Sequence, residues 1–548
     1  MSSNLFRLER KTWAVAICSL AFALLIYQLG QRSVWGDEAY TARVVQRDLE
    51  STLVAVANET YPPVYYVCIW GWKTLMGSSE FALRFPSVFF GMLSISILYP
   101  LGTRMMSRRI GLLGMGLMAI SPFFVMYSRM ARYFSLLLFL SLMSYWFFMR
   151  LLDDTSTGGG WKGYVISSAL AIYTHYLAAF VLVAQAVIAL TRVGHRRQFA
   201  LRFLASQAII VLLFAPWLGL AMQQAVRLAS RPDSFASGKP MMWLLSVAYP
   251  FFVWLIGETI YPWNPAAFVG AILAGGLAIR GLLGESGVSI LQTMDDGISK
   301  EHAQRGIAQD QPLVADSAAQ PVWKPKARDF PVLILLPLLL TAITMGRFIS
   351  GGAFLAIPSR AIFCLPFIYL LIARGLCMIV GFRRRLLAVA GLGIVLGLSL
   401  GNYHLGREFH NPNYILQIED LVNSVVEQAE PGDVFVSDFM TGFDYYIKRS
   451  NPEAAHFLAH HPASAKNYVQ EHQSPRVWLV LLCRAVETES LATVELVPWL
   501  VTAGYSLDLT FGHAPQDQTL ARVQELLLGR PACSDKVIIY SYTRLPQR

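Results

Sequence analysis

Charge is what this sequence has least of. Only 15% of its 548 residues are Asp, Glu, Lys or Arg, while 55% are hydrophobic. A soluble domain has about a quarter of its residues charged, so a water-soluble globule is excluded and the chain reads as an integral membrane protein. Cysteine is also scarce. None of the six lies in Cys-x-x-Cys spacing, which argues against zinc-ribbon and dithiol redox chemistry, and no P-loop or dinucleotide-binding glycine pattern is present. The charges sum to +10, but the basic residues sit in short clusters between apolar runs. That is the pattern of cytoplasmic loops, and it excludes nucleic acid as a partner. A cleavable signal is missing as well: Arg7, Arg10 and Lys11 precede an apolar stretch, 12–30, that is too long for a signal core and has no small-residue cleavage site. It reads as a first transmembrane helix with the N-terminus in the cytoplasm.

Arginine placement orients the rest. Residues 38–57 carry Val45, Leu49, Leu53 and Val56 at helical spacing and predict an amphipathic helix on the membrane surface. Tyr61-Pro62-Pro63 ends it. Pro63 is suited to open the next helix, 64–76, which is too short to span and rich in Tyr and Trp, hence interfacial. A span at 85–103 runs into Arg104, Arg108 and Arg109, which marks that end cytoplasmic. The chain returns through 110–127, emerges outside at 128–132, and goes back through 133–151. It turns outside again around 173–176, between spans 163–175 and 177–191. Arg192, Arg196, Arg197 and Arg202 mark cytoplasm, and 203–219 leads out through Pro216-Trp217.

Residues 241–261 read as a second interfacial or re-entrant helix, because counting them as a span would put Arg374 and Arg383-Arg384-Arg385 outside. Spans at 265–283, 330–349, 361–380 and 387–404 bring the total to about eleven. The polar, unpatterned stretch 284–329 reads as a cytoplasmic linker loop. From 405 the pattern changes: strand-like runs at 434–436, 477–483 and 536–542 alternate with helical stripes, as in a small soluble α/β domain. Cys483 and Cys533 border two of these runs; in an oxidising compartment they could pair, with two free thiols the favoured state. The expected fold is a polytopic α-helical membrane domain, 1–404, with its outer-face loop at 31–84, followed by an extracytoplasmic α/β domain, 405–548.

The stretch Val34-Trp35-Gly36-Asp37-Glu38-Ala39-Tyr40 places two acids just after the first apolar segment, at the membrane surface. Gly36 allows a tight turn before them, and Asp37 is placed to cap the helix that follows. On that helix Asp37 and Glu38 point roughly 100° apart, so one of them faces a given site. Asp37 is the stronger candidate.

The order of parts resembles the GT-C superfamily of polyprenyl-phosphate-dependent glycosyltransferases, close to protein O-mannosyltransferases, aminoarabinose transferases and lipopolysaccharide galacturonosyltransferases. The residues that carry this are Gly36-Asp37-Glu38-Ala39, Pro62-Pro63-x-Tyr65-Tyr66, the run Glu80 to Ser87, Leu101-Gly102-x-Arg104, Ser121-Pro122-Phe123, and Tyr127-Ser128-x-x-Ala131-Arg132. They cover about residues 10–220; the later spans match loosely and the C-terminal domain not at all. The resemblance implies a GT-C-like fold in the inner or plasma membrane. It implies transfer of a sugar from a polyprenyl-phosphate donor to an acceptor hydroxyl on a glycan, lipid or protein outside the cytoplasm, with inversion. Asp37 then matches the general base, with Glu38 beside it. Arg132 matches the arginine that meets the lipid phosphate; Arg129, Arg360, Tyr61 and His175 are added as substrate-binding candidates by position. Glu258 is an isolated acid near the second interfacial helix.

Two departures stand out. Many relatives have His-Pro-Pro where this chain has Tyr61-Pro62-Pro63, and Gln-Glu-Ala-Arg where it has Arg129-Met130-Ala131-Arg132. The second removes an acid that is a plausible metal ligand, which counts against a divalent-metal site, and it adds an arginine. Two further readings stay open: an inactive relative that binds glycan, and a lipid-linked saccharide transporter. The latter should carry ionisable residues in mid-span.

Overall fold

The computed structural model describes residues 2–152, 159–192, 197–229, 240–284, 329–348, 357–437, 440–450, 457–459, 462–482, 495–515, 518, 522 and 535–545. They form two compact units: Met1–Tyr27, Leu53–Tyr65 and Ser87–Gly401 make the first, and Gln28–Thr52, Tyr66–Pro86 and Asn402–Arg548 make the second.

The first unit is helical. Five described helices are long and apolar enough to cross a membrane: Glu80–Met105, Phe134–Leu152, Phe199–Arg227, Pro265–Leu283 and Phe382–Leu405. A sixth candidate is the pair Arg108–Ala119 and Pro122–Ser128, which meet at a 63° bend. The bend has a local cause. Ile120 closes the first helix, Ser121 caps the second by accepting from the Phe124 N–H at 3.1 Å, and Pro122, which has no N–H, fills the first helical position. Shorter apolar helices include Thr12–Ile26, Tyr176–Thr191, Asp329–Thr341 and Ile362–Cys377.

Small residues set the closest helix crossing. Helices Pro265–Leu283 and Leu365–Cys377 approach until a Cβ on Gly281 would sit 2.0 Å from the Leu371 carbonyl oxygen, and one on Gly375 2.0 Å from that of Leu277. Only glycine on both sides permits this, as membrane helices pack through van der Waals contact. Inside the bundle, polar side chains pair with one another. Ser144 meets Ser168 at 2.9 Å, Gln185 donates to Ser144 at 3.0 Å, and Tyr164 donates to Gln185 at 3.0 Å.

The second unit contains a five-stranded sheet in the order β2-β1-β3-β5-β4, with β1 Val434–Ser437, β2 Phe457–Ala459, β3 Arg476–Leu482, β4 Tyr505–Pro515 and β5 Asp535–Arg544. β1 runs parallel to β2 and β3, with Val436 opposite Ala459 and Leu479; β5 runs antiparallel to β3 and β4, with Tyr540 opposite Leu479 and Thr510. All four residues of β1 are buried, as a parallel strand covered on both faces requires. Val434, Val436, Ala465, Val469, Val477 and Leu479 form the centre of its core.

Two local expectations are corrected. The stretch 38–57 is two helices, Gly36–Val45 and Leu49–Ala57, because Asp48 accepts from the Ser51 N–H at 2.9 Å and starts the second one. The helix that carries the span expected at 203–219 is longer, running from Arg197 to Ala229 with Pro216 inside it. Apart from its two end residues, the loop expected at 284–329 lies outside the described residues, as do Cys483 and Cys533.

Candidate active site

Asp37 and Glu38 sit in the second unit, in the first turn of helix Gly36–Val45. Contrary to the expectation, Asp37 is not the cap. The helix starts earlier: Trp35 is the extended residue before it, and Glu38, three positions on, accepts the Trp35 N–H at 3.3 Å. Two acids in the first turn also suit the positive end of the helix dipole.

Glu38 is 1% exposed and bound to Arg84 through both oxygens, from Nε at 2.9 Å and from Nη2 at 2.7 Å. The same guanidinium donates to the carbonyls of Leu29 at 3.0 Å, Arg32 at 2.7 Å and Ser33 at 3.0 Å. A guanidinium has five N–H groups, and all five are used. Glu38 and Arg84 therefore form a closed, buried pair that fixes the loop leading to the acids. Asp37 is half-buried beside it. The pair leaves Glu38 little freedom to take a proton from a substrate, whereas Asp37 is outside it.

The other five candidates belong to the first unit. Arg132 is 2% exposed and lies over two rings, 4.9 Å from the centroid of Tyr61 and 5.4 Å from that of Tyr133. His175 stands against both: its ring is 4.5 Å from Tyr133 and 6.1 Å from Tyr61. It occupies the turn between helix Gly159–Thr174 and the short helix Tyr176–Ala178, where its Nδ1 accepts the Leu177 N–H at 3.2 Å. Nδ1 as acceptor puts the ring proton on Nε2. Burial, and then the positive charges of Arg360 and Arg132, lower the imidazole to about 3, so it is neutral at physiological pH. Arg129, also buried, closes helix Pro122–Ser128 and donates to the carbonyl of Tyr27. Tyr61, Arg132 and His175 are thus brought together, with Arg360 close enough to act on the imidazole.

A guanidinium over aromatic faces beside a neutral imidazole suits an anionic ligand: the rings hold it without neutralising it. Tyr133 was not among the residues singled out from the sequence, although its position next to Arg132 was visible. Glu258 was noted in the sequence only as an isolated acid. It is 3% exposed and accepts from the Tyr127 hydroxyl at 2.9 Å, two residues before Arg129. Among the described residues no group of three or more His, Cys, Asp or Glu side chains could hold a metal ion.

The chain is similar to ArnT from Cupriavidus metallidurans, with a TM-score of 0.52 in the apo state and 0.50 for the form bound to undecaprenyl phosphate. Each match has 12% sequence identity and covers 98% of this chain and 99% of that one. The fold is that of the ArnT structures. Within it, residues 60–219 match the family described as dolichyl-phosphate-mannose-protein mannosyltransferase. That span contains Tyr61, Arg129, Arg132 and His175. No curated protein matches the sequence significantly.

Proposed function

We propose that this protein is a membrane glycosyltransferase. It moves a sugar from a polyprenyl-phosphate donor to an acceptor hydroxyl on the extracytoplasmic face, with inversion. The observation that carries the reading is the buried Arg132, lying over the rings of Tyr61 and Tyr133 beside a neutral His175, inside the segment that matches the mannosyltransferase family. The undecaprenyl phosphate bound by ArnT supports a donor of this chemical type.

Asp37 is the general base. It takes the proton of the acceptor hydroxyl as that oxygen attacks the anomeric carbon, and the bond from that carbon to the phosphate oxygen breaks. The leaving phosphate gains a charge as the bond lengthens. Arg132 and Arg129 meet that charge, so they contribute more to the transition state than to binding. Glu38 holds the loop. With the N-terminus in the cytoplasm, residues 405–548 lie outside and 284–329 inside.

The test uses the purified full-length chain with undecaprenyl-phosphate-linked mannose, aminoarabinose and galacturonic acid, each offered with a cell-envelope extract. Release of undecaprenyl phosphate, with the sugar appearing on an extract component, is the expected result for one donor. Saturable donor binding without release would favour an inactive glycan-binding relative. Movement of an intact donor across proteoliposomes would identify a transporter.

A further inference from the structure

The roles above leave residues 402–548 without a task. Their contacts with residues 33–43, inside the same compact unit, supply one. Before Asp37, the backbone N–H of Val34 donates to the Tyr446 hydroxyl at 2.7 Å, and that hydroxyl reaches Glu80 at 3.3 Å. Ser33 is held twice: its N–H donates to the Gln417 side chain at 3.1 Å, and its Oγ accepts the Glu419 N–H at 3.1 Å. After Asp37, Arg43 reaches Asp444 at 3.4 Å, and Lys448 braces the same carboxylate at 2.7 Å. Tyr446 is fully buried and the Asp444 side chain is 1% exposed, so these two side chains are shielded from solvent.

We propose that Gln417, Glu419, Asp444, Tyr446 and Lys448 form the positioning frame of the acidic motif, with Tyr446 and Asp444 as positioning residues for Asp37. The proposal rests on the reading of Asp37 as general base. Asp37 is three residues after the Val34 anchor and six before Arg43, which is about 9 Å along the helix. Anchors on both sides fix the helix along its axis and about it. Neither Tyr446 nor Asp444 need touch a substrate. Placement of a reacting group to within about 1 Å is worth up to roughly a hundredfold in rate, and that is the scale on which such a frame acts.

The test uses the full-length chain carrying Tyr446→Phe, which keeps the ring and removes the hydroxyl, and Asp444→Asn. Arg476→Gln, in β3 and away from residues 33–43, serves as a control. The first readout is hydrogen exchange of the peptide 29–40, measured without any ligand. The second is the kcat and KM for whichever undecaprenyl-phosphate sugar the panel selects. The expected result is faster exchange in both frame variants, kcat lowered about ten- to a hundredfold, donor KM changed less than threefold, and a control that behaves as wild type. Exchange of 29–40 equal to wild type in both variants overturns the frame, whatever Asp37 does. Faster exchange with unchanged kcat overturns it as well. Full turnover by Asp37→Asn overturns the base instead, whatever the exchange result.

Discussion

The two acids of the motif differ so sharply in their surroundings that one pair of substitutions separates their roles. Glu38→Ala removes the counter-charge of a buried guanidinium but leaves Arg84 its three carbonyl partners. Breaking one side of a buried, hydrogen-bonded ion pair costs about 3–5 kcal/mol. The surviving bonds to Leu29, Arg32 and Ser33 soften the loss, so the lower end, about 3 kcal/mol, is expected. Glu38→Gln retains the shape and one acceptor and should cost less. Asp37→Asn touches none of these contacts and should change stability by less than about 1 kcal/mol, the scale of a lost helix-terminal interaction, while slowing transfer by roughly 10²–10⁴-fold as a lost general base does. The assay is thermal unfolding in detergent, followed on the same preparations by release of undecaprenyl phosphate. Glu38→Ala should unfold several degrees below wild type and retain measurable turnover in its folded fraction. The reasoning is refuted if Glu38→Ala unfolds like wild type yet is inactive, with Asp37→Asn active. That pattern would make Glu38 the base and the Arg84 pair part of the chemistry.

Three more outcomes are expected. Arg132→Ala should lower kcat by more than tenfold with a smaller change in donor affinity, and Arg132→Lys should recover only part of it, since an ammonium keeps the charge but loses the planar fork that stacks on Tyr61 and Tyr133; full activity in Arg132→Ala, measured as donor turnover, would remove it from the site. His175 is held neutral in the fold but takes a proton below pH 6.5 when unfolded, so stability should fall as the pH drops from 6.5 towards 3, by roughly 2 kcal/mol at pH 5; His175→Gln should flatten that part of the pH–stability curve, as seen in denaturation midpoints at pH 5 and pH 7. Single cysteines introduced into 405–548 should react with an impermeant reagent added outside intact cells, and cysteines in 284–329 should not; the reverse would make 241–257 a true span.

Local chemistry was legible in the sequence, and distant pairing was not. Tyr61-Pro62-Pro63 falls, as read, between helices Leu49–Ala57 and Val64–Met76, whereas the span read over 110–127 is broken at Ser121-Pro122. The acids were found from their neighbours, but the difference between them was not. It depends on Arg84, 46 residues from Glu38, and no periodicity links the two. The anchors from Tyr446 to Val34 join residues 412 apart, beyond any spacing rule. The single helix read over 38–57 failed for a smaller reason. The apolar stripe runs on through Arg47 and Asp48, and a stripe does not register that an Asp side chain can take a backbone N–H and restart the helix. His175 looked like a turn residue and is one; its lowered basicity comes from burial and from cations brought in by the fold.

The crossing of Gly281 against Leu371 and Gly375 against Leu277 bears on how freely the chain can be lengthened. It clamps two helix backbones, Pro265–Leu283 and Leu365–Cys377, at a separation that no side chain can adjust. The closure of whatever joins them is therefore set by the helices, and the entropy of a closed loop grows only with the logarithm of its length, about 0.6 kcal/mol for each doubling. A methyl group added at Gly281 or Gly375 weighs heavily. The same pair of helices is thus intolerant of a single added carbon atom.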